Sequence, residues 1–478
     1  MSLINKVEQF NRDSDIAHQI VHGDAETIVE TDGGPVRSFA KLIDDKDKEF
    51  VGGNVVQQAV SAKNEAVLAK NTAIAARDAA IVNSKTYATE VAGRAAVADG
   101  EYFKVAGSGS VAASEYKRVN STTSTLVAQY PSSAYVIVKD SLRAAVEAAS
   151  GGRTTVLYTA AGNPSYMHIL PAFNCEDIAP GGELGTGLYP AFIVNGVNKS
   201  ELFIGAYQAS MIGAEAVSLP AVPPRASINF NSARAACVAA GTGWHLMTNW
   251  EWAAIALWCM ANGFEPRGNT NYGRHHVNRI ETGRKVNGGI PGDTATSRPN
   301  LTGSGPASWA HDGTVGGIHD LVGNVWEWND GLQLQDGRVF MPVDNNYLAD
   351  EADWVAHDLW FSGSHSDKTG TLGLATSEAE VIRNGELGSD VTSGFSDSQT
   401  WSNIAVSGDA PLATKQALIA PSILKPTGKA YARTYGARFP SRGGGWSNGG
   451  DAGLGALNFN GSRVSAFTSI GFRPAFAL

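Results

Sequence analysis

The sequence is short of charge. Lysine, arginine, aspartate and glutamate make up 17% of its 478 residues, and acids outnumber bases by 46 to 37. Without a basic excess there is no electrostatic footprint for nucleic acid, which sets that class of partner aside. Cysteine is scarcer still. Cys175, Cys237 and Cys259 stand far apart, with neither a CxxC pair nor a Cys/His cluster at zinc spacing, so they are expected as buried small hydrophobes. No apolar run reaches the length of a membrane span, and Met1 to Asn11 carry charges where a signal peptide needs an apolar core. These absences predict synthesis in a cytoplasm and no insertion into a membrane. The length implies two or three domains.

Composition then divides the chain. Residues 1–50 are polar and mixed, with a turn at Asp32-Gly33-Gly34-Pro35, and suit a small docking element. Residues 51–98 are Ala-rich. Ala59, Ala62, Ala66, Ala69, Ala73, Ala76 and Ala80 recur at alternating steps of three and four, with Val60, Val67, Ile74 and Ile81 every seventh residue beside them. That spacing predicts a helix whose apolar stripe pairs with other copies as a coiled-coil stalk, a trimer for preference, or packs against its own chain. Residues 99–150 are expected as a connector. It holds strand-like pieces at Tyr102–Val105 and Ala134–Val138 and a short helix over Ser141–Ala149.

From residue 151 to 478 an α+β pattern is expected. Asn195-Gly196 is a hairpin signal, and a short helix is predicted over Ala233–Ala240. Thr248-x-x-Glu251 has the form of a capping box ahead of Trp250, Ala254, Leu257, Trp258 and Ala261 at helical spacing, with Asn262-Gly263 as the stop. Residues 331–435 have loop composition and are expected as an insertion that decorates the domain.

The last stretch is the most informative. Arg442-Gly443-Gly444-Gly445-Trp446 opens it and Gly471-Phe472-Arg473 closes it. Between Trp446 and Arg473 there is no Lys, Glu, Gln, Met or further Trp. Those five types are among the ones that an AAC or AAT codon altered only at its adenines cannot encode.

Gly317-Ile318-His319-Asp320-Leu321-Val322-Gly323-Asn324-Val325-Trp326-Glu327-Trp328, taken with Trp250-Glu251-Trp252-Ala253-Ala254 and the two framing motifs, resembles the formylglycine-generating enzyme branch of the C-type lectin fold. Gly243–Trp252 followed by Pro266-Arg267-Gly268-Asn269-Thr270 is similar to the variable proteins of diversity-generating retroelements, a family that includes phage tropism determinants. The N-terminal segments Val21–Ala25 and Gly34–Ile43, and the run Gly93–Glu101, resemble the virion-proximal ends of phage tail fibres and tailspikes. The resemblance implies an α+β chain with a C-terminal C-type lectin-like domain, preceded by the helical stalk and a small virion-attachment anchor. Its variable region spans 442–473. In such a domain the adenine-derived positions are Ser447, Asn448, Asp451, Gly455, Asn458, Asn460, Gly461, Ser465, Phe467 and Ser469. Ala452, Leu454, Leu457, Phe459, Ile470 and Phe472 between them are expected to point inward.

Enzymes of that branch carry a catalytic cysteine pair soon after the Arg-Gly-Gly-x-Trp motif to hold copper. Here Ser447, Asn448, Gly449, Gly450 and Asp451 follow, and no cysteine comes after them. No oxidase activity is therefore expected. His275, His276, His311 and His319 form no visible metal triad and are expected at the surface or in loops. The resemblance admits calcium, with Asp320 and Asn324 as candidate ligands, but no metal or other cofactor is assigned.

The resulting expectation is a phage tail-fibre receptor-binding protein. It would sit at the fibre tip in the virion, contact other tail proteins through its N-terminus, and bind a protein or glycan receptor on a bacterial surface. The alternatives are a structural tail protein without receptor binding and a glycan-degrading tailspike using Asp320 and Glu327. Acidic groups inside such a motif more often satisfy buried donors. Trp250, Trp252, Trp326 and Trp328 are likewise expected in the core rather than as sugar platforms.

Overall fold

The computed structural model describes residues 3–42 and 86–477, apart from 25, 32, 109–110, 132, 296, 364–370 and 390–395. The alanine repeat of the expected stalk lies outside the described residues. The chain divides into two compact units, Met1–Asp140 and Ser141–Leu478.

In the first unit, helix Leu3–His22 precedes a hairpin in which Ile28–Thr31 pairs antiparallel with Gly34–Arg37, with the predicted turn between them. Ser38 follows it and is fully buried, its hydroxyl donating to Asp24 O at 2.6 Å. Residues 86–98 do not continue a stalk. Thr86–Tyr87 is the first strand of a sheet with Tyr102–Ala106, Val111–Arg118 and Ser124–Pro131, and helix Glu90–Ala96 lies on it. Gly93 explains the close approach, because a Cβ there would meet the Phe103 ring at 2.1 Å. Arg118 ties the helix end down by donating to Arg94 O at 2.8 Å and to Asp99 Oδ1 at 2.7 Å.

Ala134–Val138 is not a strand but part of helix Ser133–Ser150. The β-branched run Val136-Ile137-Val138 reads as extended only in isolation. Leu142 to Ala149 downstream are strong helix formers apart from Val146, and the first stop signal is Gly151-Gly152, both at positive φ, where Gly152 N donates to Glu147 O at 2.7 Å.

The second unit is α+β. Among its described residues, one sheet has the order Trp244–Leu246, Pro474–Phe476, Glu201–Gly205, Pro164–Pro171, Thr154–Tyr158. The chain's last strand therefore sits inside the sheet built by the unit's first strands, so the C-terminal segment is held at both ends. The Asn195-Gly196 signal is a tight turn with φ of 49° and 72°, joining the short strands Ile193–Val194 and Val197–Asn198. The short helix is Phe230–Ala239, capped by Asn229.

Helix Asn249–Ala261 is the core. Asn249 to Leu257 are all buried, and the capping box closes as predicted: Glu251 N donates to Thr248 Oγ1 at 3.1 Å and Thr248 N to Glu251 Oε2 at 2.9 Å. Asn262 and Gly263 end it.

Glu251 also accepts from His245 Nε2 at 2.8 Å, while His245 Nδ1 lies 3.0 Å from Gly243 O. Both ring nitrogens thus face acceptors. Burial opposes the charged ring, but the Glu251 carboxylate outweighs it and raises the His245 pKa above its ordinary value. A raised folded pKa stabilises fully below the unfolded value of about 6.5 and ceases to do so as pH climbs through the folded value. The melting temperature of the chain should therefore exceed that of His245→Gln most below pH 6.5, with the gap shrinking at higher pH. A gap independent of pH would refute a cationic His245.

The 331–435 segment is not a decoration. Gln333–Gln335, Arg338–Met341, Val355–Ser362 and Gly373–Ala375 form a sheet with Ala437–Arg438, and Asp397–Thr400 and Lys429–Ala432 extend the sheet that contains the variable region. Leu334, Val339, Phe361, Trp401 and Leu418 are buried in the main core. Its many glycine and polar residues obscure short strands that alternate inside and outside, as in the intermediate-buried-intermediate-buried pattern of Arg338–Met341.

Candidate functional site

The frame of the 442–473 region is a six-stranded sheet tied to the core helix. Its order is Asp397–Thr400, Lys429–Ala432, Leu457–Phe459, Ser441–Arg442, Trp326–Trp328, Ile470–Phe472. Arg442 is fully buried. It donates through Nε and Nη2 to Asn249 Oδ1 at 3.0 and 2.7 Å and through Nη2 to Leu418 O at 2.9 Å, joining the sheet, the core helix and the 331–435 segment. Burial lowers its pKa to about 9, which leaves it charged at neutral pH.

Gly443 and Gly444 are required by space as well as by φ of 87° and 88°. A Cβ at Gly443 would lie 2.3 Å from Leu321 O, and one at Gly444 2.5 Å from Ala452 Cβ. Gly443→Ala should cost about 1–3 kcal/mol from backbone strain alone, more with the overlap, read as a fall in the melting temperature. An unchanged melting temperature would contradict this geometry. Trp446 is pinned through its N to Asn324 O at 3.0 Å, its O to Tyr272 N at 2.7 Å and its Nε1 to Ser297 Oγ at 2.8 Å. Trp252 Nε1 donates to Leu454 O at 3.0 Å, so the core helix also holds the middle of the region.

At the far end Arg473 forms a buried two-pronged ion pair with Glu327, Nε to Oε2 at 2.8 Å and Nη2 to Oε1 at 2.7 Å, and also donates to Gly205 O and His319 O. Asp320 is equally shut in, accepting from Gly303 N at 2.7 Å, and burial raises its pKa. Neither carboxylate reaches solvent. That removes the access a glycan-cleaving pair needs. Asn324, the other candidate calcium ligand, has its Oδ1 occupied by Asn269 Nδ2 and Asn300 N and its Nδ2 donated to Gln208 and Asn300. Both residues serve the backbone turn, each at φ near 60°. No group of three or more His, Cys, Asp or Glu side chains suited to a metal occurs among the described residues.

The tryptophans Trp250, Trp252, Trp326 and Trp328 are all in the core. His275, His311 and His319 are in loops but buried, a correction to the surface placement, and His276 is half-buried. Cys175, Cys237 and Cys259 are buried, and burial raises each thiol's pKa.

Within the frame, Ala452, Leu454, Leu457, Phe459, Ile470 and Phe472 are buried. Of the ten positions predicted as variable, Ser447 and Phe467 are exposed and Asn448, Asp451, Asn458, Asn460 and Ser469 half-buried. Three are corrected. A Cβ at Gly455 would lie 2.6 Å from Pro426 Cγ, and at Gly461 2.6 Å from the Trp328 ring. Ser465 is 6% exposed and locks a turn, its Oγ accepting from Ser462 N at 3.1 Å.

Two of the surface positions, Phe467 and Ser469, share one device, an anchored backbone under an outward side chain. Phe467 O accepts from Ser227 N and Ile470 N at 3.1 and 3.0 Å, while the residue stays 48% exposed. Ser469 O accepts from Trp326 N at 2.8 Å. Asn458 stands on the outer face of the three-residue strand Leu457–Phe459, opposite Tyr431, whose hydroxyl donates to Asp451 Oδ2 at 2.8 Å. Burial and then Asp451 raise the Tyr431 pKa, so it remains a phenol. Asn448 is tied more closely, its Oδ1 accepting from Gly445 N at 2.8 Å.

Sequence alternation missed Gly450, Val464, Ala466 and Thr468, all exposed. Gly450 lies in the short 3-10 helix Gly449–Asp451 and the other three in loops, where the period-two rule of strands has no force. Fixed residues from elsewhere border the patch, notably Lys429, Tyr431 and His276, the last 3.5 Å from a Cβ built on Gly450. A cleft of about 690 Å³ opens beside Thr468, lined by Met211, Ile212, Pro224 and Pro299.

No protein-family model matches the chain, and no curated protein matches it. Among solved structures it is similar to the Major Tropism Determinant I1 Variant, at 11% identity and a TM-score of 0.25, covering 75% of this chain and 65% of that one. It is also similar to Treponema denticola variable protein 1, at 13% identity and a TM-score of 0.28, covering 68% and 98% of the two chains. A third is the Major Tropism Determinant U1 Variant, at 10% identity and a TM-score of 0.22, covering 82% and 98%.

Proposed function

We propose that the chain is a receptor-binding variable protein, in which the exposed side chains between Ser447 and Ser469 contact a molecule on a bacterial surface. One observation carries this reading. Across a single segment, buried apolar side chains that carry the fold are separated from solvent-facing side chains that add at most local hydrogen bonds, so the second set can be exchanged while the core stays as it is. The missing Lys, Glu, Gln, Met and Trp between the framing motifs agree with exchange at adenines.

The finer reading is a phage tail-fibre tip. The N-terminal segments attach it to the virion and the alanine repeat joins three copies. The surface offers one aromatic anchor, Phe467, so one copy binds weakly, and several copies on one stalk raise the avidity on the order of a hundredfold or more. The reading includes no oxidase activity, because no cysteine follows Trp446, and it assigns no cofactor.

Sequencing many isolates tests the reading. Substitutions should fall at Ser447, Asn448, Asp451, Asn458, Asn460, Phe467 and Ser469, in codons that differ at adenines, and spare Gly455, Gly461 and Ser465. Substitutions spread evenly over buried and exposed positions, or absent from the segment, would sink it.

A further inference from the structure

A second concavity, of about 600 Å³, shares no residue with the variable patch. Arg153, His168, Phe173, Trp258, His311 and Asp312 line it, along with apolar Ile169 to Ala172. Two imidazoles in its wall are 4% and 3% exposed, with ring centroids 4.6 Å apart and planes at 77°.

The backbone sets their tautomers in opposite senses. His168 Nδ1 lies 3.0 Å from Gly316 O, an acceptor, so this nitrogen carries the hydrogen and Nε2 keeps its lone pair. His311 Nδ1 accepts from Ile318 N at 2.9 Å, so the hydrogen of the neutral ring sits on Nε2. Neither Nε2 has a partner among the described residues. Burial lowers both pKa values, and the neighbouring His168 lowers that of His311 further, so both rings are neutral at pH 7. The wall thus presents one fixed acceptor beside one fixed donor. A metal ion would need a lone pair from each ring, and only His168 offers one.

The rest of the cavity is neutral and aromatic. Arg153 Nη1 and Asp312 Oδ2 offset each other at 3.4 Å, Cys259 Sγ is turned away to donate to His311 O, and Trp258 and Phe173 supply flat apolar walls. A hydroxyl group both donates and accepts, and the C–H face of a sugar ring packs on an aromatic ring. The volume falls within the range of small-ligand sites, roughly 300–1,000 Å³. We propose that this cavity binds a small neutral hydroxylated ligand, one or two sugar rings in size, with the His168 and His311 Nε2 atoms engaging one of its hydroxyls.

Saturation-transfer NMR on the full chain tests this, using glucose, galactose, mannose, N-acetylglucosamine, maltose and lactose at millimolar concentration, with glucuronate and glucosamine as charged comparators. At least one neutral sugar should receive saturation, and its affinity should fall tenfold or more in His311→Phe. Ala172→Trp fills the cavity from a half-buried wall position without deleting a hydrogen bond, since the backbone N of residue 172 still donates to Ser200 O. It should also abolish the signal, and it decides the matter if His311→Phe fails to fold. Transfer to none of the neutral sugars, a signal that survives Ala172→Trp, or equal binding of the charged comparators would overturn the proposal. Variants at Asn458 and Phe467 should leave this binding unchanged, so it fails or stands separately from the receptor reading.

Discussion

Glu327→Gln is expected to destabilise the second unit by about 3–5 kcal/mol, the cost typical of leaving one partner of a buried ion pair uncompensated. Arg473 is fully buried, and Glu327 is the one carboxylate it is seen to pair with directly: its remaining bonds go to the carbonyls of Gly205 and His319, and Asp320 acts on it only at longer range. Glutamine keeps the shape of the side chain and the bond from Gln208 Nε2 at 3.0 Å, so the loss isolates the charge. Glu327→Met with Arg473→Met should recover much of it, because replacing a whole buried pair by apolar groups is often neutral. All eleven tryptophans lie between Trp244 and Trp446, so denaturation followed by tryptophan fluorescence reports the second unit alone. A loss below about 1 kcal/mol, the level of an exposed pair, would show that the pair does not hold the two ends of the fold together.

Replacing Phe467 and Asn458 together with lysine should remove most binding to host cells. Each copy would lose about 2 kcal/mol or more, roughly thirtyfold, and avidity multiplies that loss across copies. Stability should change by less than about 0.5 kcal/mol, as for ordinary surface substitutions. Phe467 touches the fold through its carbonyl, which lysine retains, and Asn458 Oδ1 accepts one hydrogen bond, from Asn460 N at 2.8 Å. Fluorescently labelled protein scored on bacteria by flow cytometry, beside a melting curve, separates the outcomes. Unaltered cell binding would refute the patch as the receptor site, and loss of binding together with folding would make these residues structural.

Much of the architecture was legible because its signals are local. The capping box at Thr248 and Glu251, the Asn195-Gly196 turn and the stop at Asn262-Gly263 each depend on residues within a few positions of one another. The inward set Leu454, Leu457, Phe459 and Phe472 was legible from the family resemblance together with its hydrophobic character. What was not legible depended on distant partners. Ala134–Val138 looks extended until the helix on its C-terminal side is seen to continue through it. The 331–435 segment looks like decoration until its strands are found completing two sheets.

The same division runs through the site itself. Composition determined that the segment between Trp446 and Arg473 is small, polar and built on glycine, and that no thiol chemistry follows the Arg-Gly-Gly-Gly-Trp motif. It could not tell a glycine that happens to be small from one that must be. Gly455 and Gly461 look interchangeable with Ser447, yet one abuts Pro426 and the other the Trp328 ring. A missing side chain leaves no trace in the sequence of the space it would have needed; the atoms that fill that space come from residues far away along the chain, and only the tertiary structure brings them there.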